Sequence, residues 1–390
     1  MRIRNTVSLL IANLTSSIGD ILFYPIFINY LVLTKYSSWM IALVTVLEYF
    51  PRLIGPIIST KINNYSIKNI LLVSSFTRFS CYLIICGFLF FDFKNMAGII
   101  VIVILNFISD LFGTVFYLNQ NKIEKDVIPI NKIDSLSNLI YLSSTLGMSL
   151  AYIISPSINK LLSLELIALL NAIIFLVPLI ELLILNDSKI TETRNINLRL
   201  AFSEFLSNKI IFQSVILTFC LNLLMGNSTF VMTVYSEYFS VTPLESIAKF
   251  SSMFLLGTLT GSFLKAIFSK IKVPFGYSIF FSYLVLSIFY FSLKIEPNFV
   301  NPAIYFLVGS SIGILQPLLN ARIYIYSDES NVSNMFAITS LLNSIGTIFS
   351  PFFLNFLFLS IGYNGAITLG MFYYIAGAIT IILSGKLKLF

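Results

Sequence analysis

The chain has 390 residues, 57% of them hydrophobic and only 11% charged, and its mean hydropathy is +0.92. Soluble domains carry about 25% charged residues, so there is too little charge here to cover a water-facing surface, and a lipid bilayer is the expected outer solvent. The net charge of +7 does not point to nucleic acid, because the basic residues punctuate apolar runs and form no basic face; the absence of histidine rules out His catalysis, His proton relays and His metal ligation.

A membrane span needs about 20 mostly apolar residues. The apolar runs predict twelve, approximately at 6–33, 39–60, 69–91, 96–117, 136–158, 162–185, 210–234, 247–268, 275–293, 302–325, 335–359 and 366–383. The first run is too long for a secretory leader and has no small-residue cleavage pattern, so it is expected to stay as a span. Cys81, Cys86 and Cys220 lie inside apolar runs at spacings that fit neither a redox pair nor a zinc site. They read as packing residues, and no metal or cofactor is expected.

Charges inside these runs are the informative residues. An Asp, Lys or Arg at mid-membrane costs roughly 2.5–3.5 kcal/mol, so it persists where it pairs, binds something or lines a wet path. Asp20 lies in span one and Asp110 in span four. With histidine absent, such carboxylates are the only candidate proton carriers, Asp20 first and Asp110 second. Glu48 and Arg52 stand i, i+4 in span two, a spacing that suits either a direct ion pair or a gating role, and Pro51 between them loosens the helix. Arg78 in span three has three possible partners in the chain, Asp20, Glu48 and Asp110, or else an anionic group of a substrate. Glu181 follows Pro178 near the end of span six and reads as an interfacial residue.

The polar stretch Asn186 to Lys209 separates two halves. Its Leu198, Leu200, Ala201, Phe202, Phe205 and Leu206 predict a short amphipathic helix along the membrane surface. The expected domains are therefore an N-terminal six-helix bundle over 1–186, a cytoplasmic linker over 187–208 and a C-terminal bundle over 209–390. The halves share motifs. Ser155-Pro156 and Ser350-Pro351 are 195 apart, half the chain length, and Ser137-Asn138 and Ser333-Asn334 are 196 apart. A duplicated six-span unit follows, with a site between the halves.

In the C-terminal half the intramembrane polar residues are neutral: Asn222, Asn227, Gln316, Asn320 and Asn343. With Tyr235, Tyr373 and Tyr374 they suit a partly aromatic pocket for a small organic molecule. Gly257 with Gly261, and Gly309 with Gly313, form small-xxx-small patterns that predict close helix packing. The first pair superficially resembles a phosphate loop but lacks the Gly-Lys-Ser/Thr ending. Orientation follows from Lys and Arg: with a cytoplasmic N-terminus, seventeen fall in inner segments and five in outer ones, with Arg52 and Arg78 in the membrane. Both termini are then cytoplasmic, in the cell membrane.

Several motifs resemble the major facilitator superfamily, and more narrowly its bacterial drug-exporter branch related to macrolide efflux proteins. Ser17-Ile18-Gly19-Asp20 followed by Pro25 is similar to the Gly-Asp opening of many members. Glu48-Tyr49-Phe50-Pro51-Arg52-Leu53-Ile54-Gly55-Pro56 is similar to the family's proline-containing second span, and Lys61 to Lys68 occupies the turn after it. Asp134-Ser135-Leu136-Ser137-Asn138 resembles the start of span five. Phe202-Ser203-Glu204-Phe205-Leu206 resembles the segment before span seven. Asp110 stands in span four, where many proton-coupled members carry an arginine. The resemblance implies an all-α membrane protein, twelve transmembrane helices in two pseudo-symmetric six-helix bundles. It further implies proton-driven export of a drug or secreted metabolite by a monomer whose partners are that small molecule, protons and lipid. Siderophore export or solute uptake on the same fold is the alternative. A polytopic membrane enzyme is the remote one, since its loops would carry acidic or His motifs that these short loops lack.

Overall fold

The computed structural model describes residues 2–36, 38–61, 66–92, 95–127, 133–184, 198–225, 227–267, 274–297, 300–326 and 332–383. The linker positions Asp187, Lys189, Glu192 and Arg194 lie outside them. Fourteen helices are present among the described residues: α1 (Arg2–Leu33), α2 (Ser38–Tyr49), α3 (Pro51–Lys61), α4 (Ile67–Phe90), α5 (Met96–Val127), α6 (Ile133–Leu161), α7 (Leu164–Ile184), α8 (Leu198–Ser207), α9 (Lys209–Met225), α10 (Ser228–Tyr238), α11 (Pro243–Ile267), α12 (Phe275–Ser292), α13 (Val300–Tyr326) and α14 (Val332–Leu383). No strand occurs among the described residues.

These helices form because the runs are long, apolar and rich in Leu and Ile, and because a bilayer core offers no partner for an unpaired peptide group. Among the described residues ten stretches are long and apolar enough to cross a membrane. One of them, Ile338–Leu383, has 46 residues, about 69 Å of helix at 1.5 Å per residue, which is room for two crossings. α6, with 29 residues, supplies another. The chain is thus a twelve-span, all-α membrane protein. Large apolar side chains such as Phe76, Phe90, Leu183, Phe263, Phe349 and Phe372 point outward, a surface that only lipid accommodates.

Among the described residues two spans are interrupted, and a third bend joins two spans within one helix. Span two breaks at Phe50, directly before Pro51, into α2 and α3. Span seven breaks into α9 and α10, and the Asn227 side chain caps α10 by accepting from the Phe230 N–H at 3.1 Å. α14 turns at Gly362, whose φ of 71° lies in the left-handed region that glycine tolerates without steric cost.

The chain divides into two compact units, one of residues 1–36 and 47–195, the other of 37–46 and 196–390. Inside the first, α1 packs on α6 and α7, α4 on α5 and α7, and α3 on α5. Inside the second, α9 packs on α14, α12 on α13 and α14, and α11 on α13. The same pairing pattern appears in both, as a duplicated six-span unit requires. The start of α2 sorts with the second unit: Trp39 lies 6.2 Å from Phe352, ring to ring, and Asn227 donates to the Thr45 carbonyl at 3.2 Å.

The α11–α13 crossing is the tightest contact in the second unit. A Cβ on Gly257 would overlap the Phe306 carbonyl, one on Gly309 the Phe254 carbonyl, one on Gly261 the Ser310 carbonyl and one on Gly313 the Thr258 carbonyl. Backbone lies on backbone, so the four glycines are packing residues, as their spacing indicates. The Ser262 hydroxyl adds a bond to the Gly313 carbonyl at 3.1 Å.

Candidate functional site

The ionisable residues of the first unit converge. Arg78, on α4, has a side chain only 2% exposed. Its guanidinium pairs with Asp20 of α1, donates to Ser16 Oγ at 2.7 Å and stacks 3.9 Å over the Phe175 ring of α7. Gly113 of α5 leaves room for it, because a Cβ there would sit 3.1 Å from the guanidinium carbon. Of the three partners open to Arg78 from sequence, the fold selects Asp20. The Asp20 side chain remains 40% exposed, so the pair is buried at its cationic end and open at its acidic end.

One turn further along α4, a second polar group assembles around Asn106 of α5. Asn106 Nδ2 donates to Asp110 Oδ2 at 2.8 Å and to Glu48 Oε2 at 3.4 Å. Its Oδ1 accepts from the Tyr82 hydroxyl at 2.7 Å. The Glu48 and Asp110 carboxyls thus share one amide donor, and Arg78 lies within electrostatic reach of Asp110. The Arg78 cation thus links the two groups.

The Glu48–Arg52 ion pair that the spacing allows does not close. α2 ends at Tyr49 and α3 begins at Pro51, so the two residues no longer share one helix face. Arg52 is exposed and lies 4.7 Å over the Tyr49 ring, while Glu48 turns to Asn106 and Asp110.

In the second unit, Asn222 donates to Asn343 at 3.3 Å across α9 and α14, and both are half-buried. Gln316 and Asn320 bond each other along α13 at 3.3 Å. Asn227 is fully buried and occupied by its cap and by Thr45. Arg322, near the end of α13, folds inward. It donates to Ser214 Oγ at 2.7 Å and stacks 4.3 Å over Phe275.

Tyr373 and Tyr374, expected beside a pocket, bond backbone carbonyls together with Tyr283 and Tyr290. Tyr283, Tyr373, Tyr374 and Tyr290 donate to the carbonyls of Leu217, Cys220, Leu221 and Leu224 along α9. Leu224 lies in the last turn of α9, where carbonyls have no intrahelical partner, and the 2.8 Å bond from Tyr290 satisfies it. Gly370 and Gly377 of α14 make room for the Tyr290 and Tyr283 rings. Tyr235 likewise bonds the Ile295 carbonyl at 3.2 Å and accepts from Asn301 at 2.9 Å. Tyr290→Phe should cost about 1 kcal/mol and speed amide exchange around the α9–α10 break; unchanged exchange there would show that the brace does not hold it.

Residues that the sequence reading passed over include Ser16, Tyr24, Tyr82, Asn106 and Phe175. Asn106 stands four before Asp110, a spacing that could have suggested it. A cavity of about 320 Å³ lies apart in lining chemistry, between α3, α4 and α5. Ile58, Val73, Leu111 and Phe112 wall it, and it contains none of the charged groups.

A deep ion pair, a carboxyl cluster and neutral amides inside a twelve-span helical protein define a polytopic carrier. The family model of the Major Facilitator Superfamily matches residues 9–351, and the chain belongs to that superfamily. A search of curated proteins returned no match. Among solved structures, the chain is similar to a D-xylose-proton symporter, with TM-score 0.74, 13% identity and coverage of 99% of this chain and 97% of that one. It is similar to the nucleoside transporter NupG, with TM-score 0.77, 11% identity and coverage of 97% and 99%. It is also similar to a POT family transporter in complex with a thioalcohol-conjugated peptide, with TM-score 0.76, 14% identity and coverage of 99% and 97%. These likenesses establish the fold. The chain is a transporter and not an enzyme.

Proposed function

We propose that the chain exports a small organic compound, a drug or a secreted metabolite, by proton antiport and alternating access. The observation that supports this most directly is the charge count of the first unit. The first unit carries three intramembrane acids, Asp20, Glu48 and Asp110, and two guanidiniums, Arg78 buried among them and Arg52 at an exposed edge. With one proton bound the group is neutral; without it, one negative charge remains. Charge is expensive where the dielectric constant is low, so the two states are very different hosts for a cargo. A proton and a polar or cationic cargo therefore compete for the same charge. In the second unit Asn222, Asn343, Gln316 and Asn320 supply neutral hydrogen-bonding groups for the cargo, while Asn227 holds the α9–α10 break. The carrier works as a monomer in the cell membrane with both termini cytoplasmic, a reading supported by the seventeen-to-five asymmetry of Lys and Arg.

The test uses purified protein in proteoliposomes with ethidium and erythromycin as probes. Vesicles with an acidic interior should accumulate at least one probe, and nigericin should abolish the accumulation. Accumulation insensitive to nigericin would remove proton coupling. Accumulation driven only by an alkaline interior would replace antiport with symport.

A further inference from the structure

Resting on that transport reading, we propose that the coupling proton is held in common by Glu48 and Asp110, and that the Tyr24 hydroxyl takes its place as donor when it leaves. Asp20 is the sequence's first choice for a proton carrier, but its geometry is that of a committed ion-pair partner. It faces the Arg78 guanidinium, and protonating it would strand a cation that is almost fully buried. Glu48 and Asp110 have the opposite geometry. Ionised carboxylates only accept hydrogen bonds, so two of them drawn to one amide donor are held there by a proton between them. Asn106 Nδ2 points at both carboxyls, 2.8 and 3.4 Å away, and presents a donor to them. A metal cation would instead call for the amide oxygen, and that oxygen is engaged by Tyr82.

The independent observation is Tyr24 of α1. It is 3% exposed, its hydroxyl has no hydrogen-bond partner, and it lies within electrostatic reach of Glu48 and Asp110. A buried hydroxyl left unpaired costs about 1–3 kcal/mol, a penalty that a vacated carboxylate would relieve. On release, the carboxyl O–H bond breaks and its proton passes to solvent water. Tyr24 keeps its own proton and turns its O–H to the freed carboxylate. The charged and titratable groups facing the pair are Arg52 of α3 and Arg78, Cys81 and Tyr82 of α4. Tyr49 of α2 and Tyr152 of α6 face Tyr24. The two guanidiniums stay charged throughout, so the proton's departure is felt as a change in the acids alone.

Infrared difference spectra of the purified full chain across a pH series read the protonated-carboxyl stretch directly, with no cargo present. The parent should show one such transition above the acid range in which exposed carboxyls titrate. Glu48→Gln and Asp110→Asn should each move it by about one pH unit or more, and the double substitution should abolish it. Tyr24→Phe should also move it, because the deprotonated state loses its replacement donor. A transition unmoved by either single substitution, or one that survives the double, overturns the proposal, as does its loss in Asp20→Asn alone. Should the two carboxyl variants fail to purify as monodisperse protein, Tyr24→Phe decides, and an unmoved transition overturns the shared site. The vesicle assay reports separately. The expected transition without gradient-driven probe accumulation rejects antiport and keeps the proton site; the converse rejects the site and keeps antiport.

Discussion

Arg78→Ala is expected to destabilise the first unit by about 2–5 kcal/mol, the range for truncating a large buried side chain, with little of it from Asp20, whose side chain stays open to solvent. The substitution removes the partner of Asp20, the donor to Ser16 and the group stacked on Phe175, and it opens a void beside Gly113. Arg78→Lys should recover little of this. The guanidinium uses one nitrogen for Ser16, another for Asp20 and its flat face for Phe175, while an ammonium is a point charge without a face. Asp20→Asn combined with Arg78→Leu should melt above Arg78→Ala, since neither charge is then left alone. Unfolding can be followed with a thiol-reactive dye, because the three cysteines are free and one, Cys81, is buried. A melting curve for Arg78→Lys that overlays the parent would mean that the pair contributes no specificity of geometry.

The second large effect is expected at the α11–α13 crossing. Gly309→Ala places a methyl group against the Phe254 carbonyl and Gly257→Ala against the Phe306 carbonyl. Backbone cannot rotate away as a side chain can, so each should cost about 1–3 kcal/mol, the usual range for overpacking, and valine at either position should prevent the two helices from docking. Gly87 of α4 is the internal control. A Cβ there meets nothing within 4 Å, so Gly87→Ala should be neutral or stabilising, by up to about 1 kcal/mol of helix propensity. If Gly309→Ala and Gly87→Ala melt alike, the close approach of α11 and α13 is not what holds the second unit together.

Much of this architecture is legible in the amino-acid order because bilayer thickness is a ruler. Twelve runs of the right length are twelve spans, and Pro51 and the four glycines announce a break and a crossing by their chemistry. Partner choice is less legible. Whether Arg78 meets Asp20, Glu48 or Asp110 depends on the depth and rotation of four helices, none of which is written locally. The Glu48–Arg52 spacing misleads for a related reason: i, i+4 pairing presumes a continuous helix, and Pro51 interrupts it. Gly226-Asn227 is a break signal of the same kind, yet the apolar run across span seven hides it. Tyrosine is ambiguous in principle, since its ring suits a pocket and its hydroxyl suits an unpaired carbonyl equally well. Only the position of α9 shows that Tyr373 and Tyr374 serve the carbonyls. Asn106 is neutral and therefore silent in a search for charge, although it joins Glu48 to Asp110.

The reversal at Gly362 has a consequence for biogenesis. The 46 residues from Ile338 to Leu383 offer the insertion machinery no hydrophilic stretch to pass across the bilayer at the turn: Leu359-Ser360-Ile361-Gly362-Tyr363-Asn364 is itself mostly uncharged and greasy. The last two crossings therefore have no hydrophilic loop between them, and the bend that lets them pair within lipid rests on one residue without a side chain.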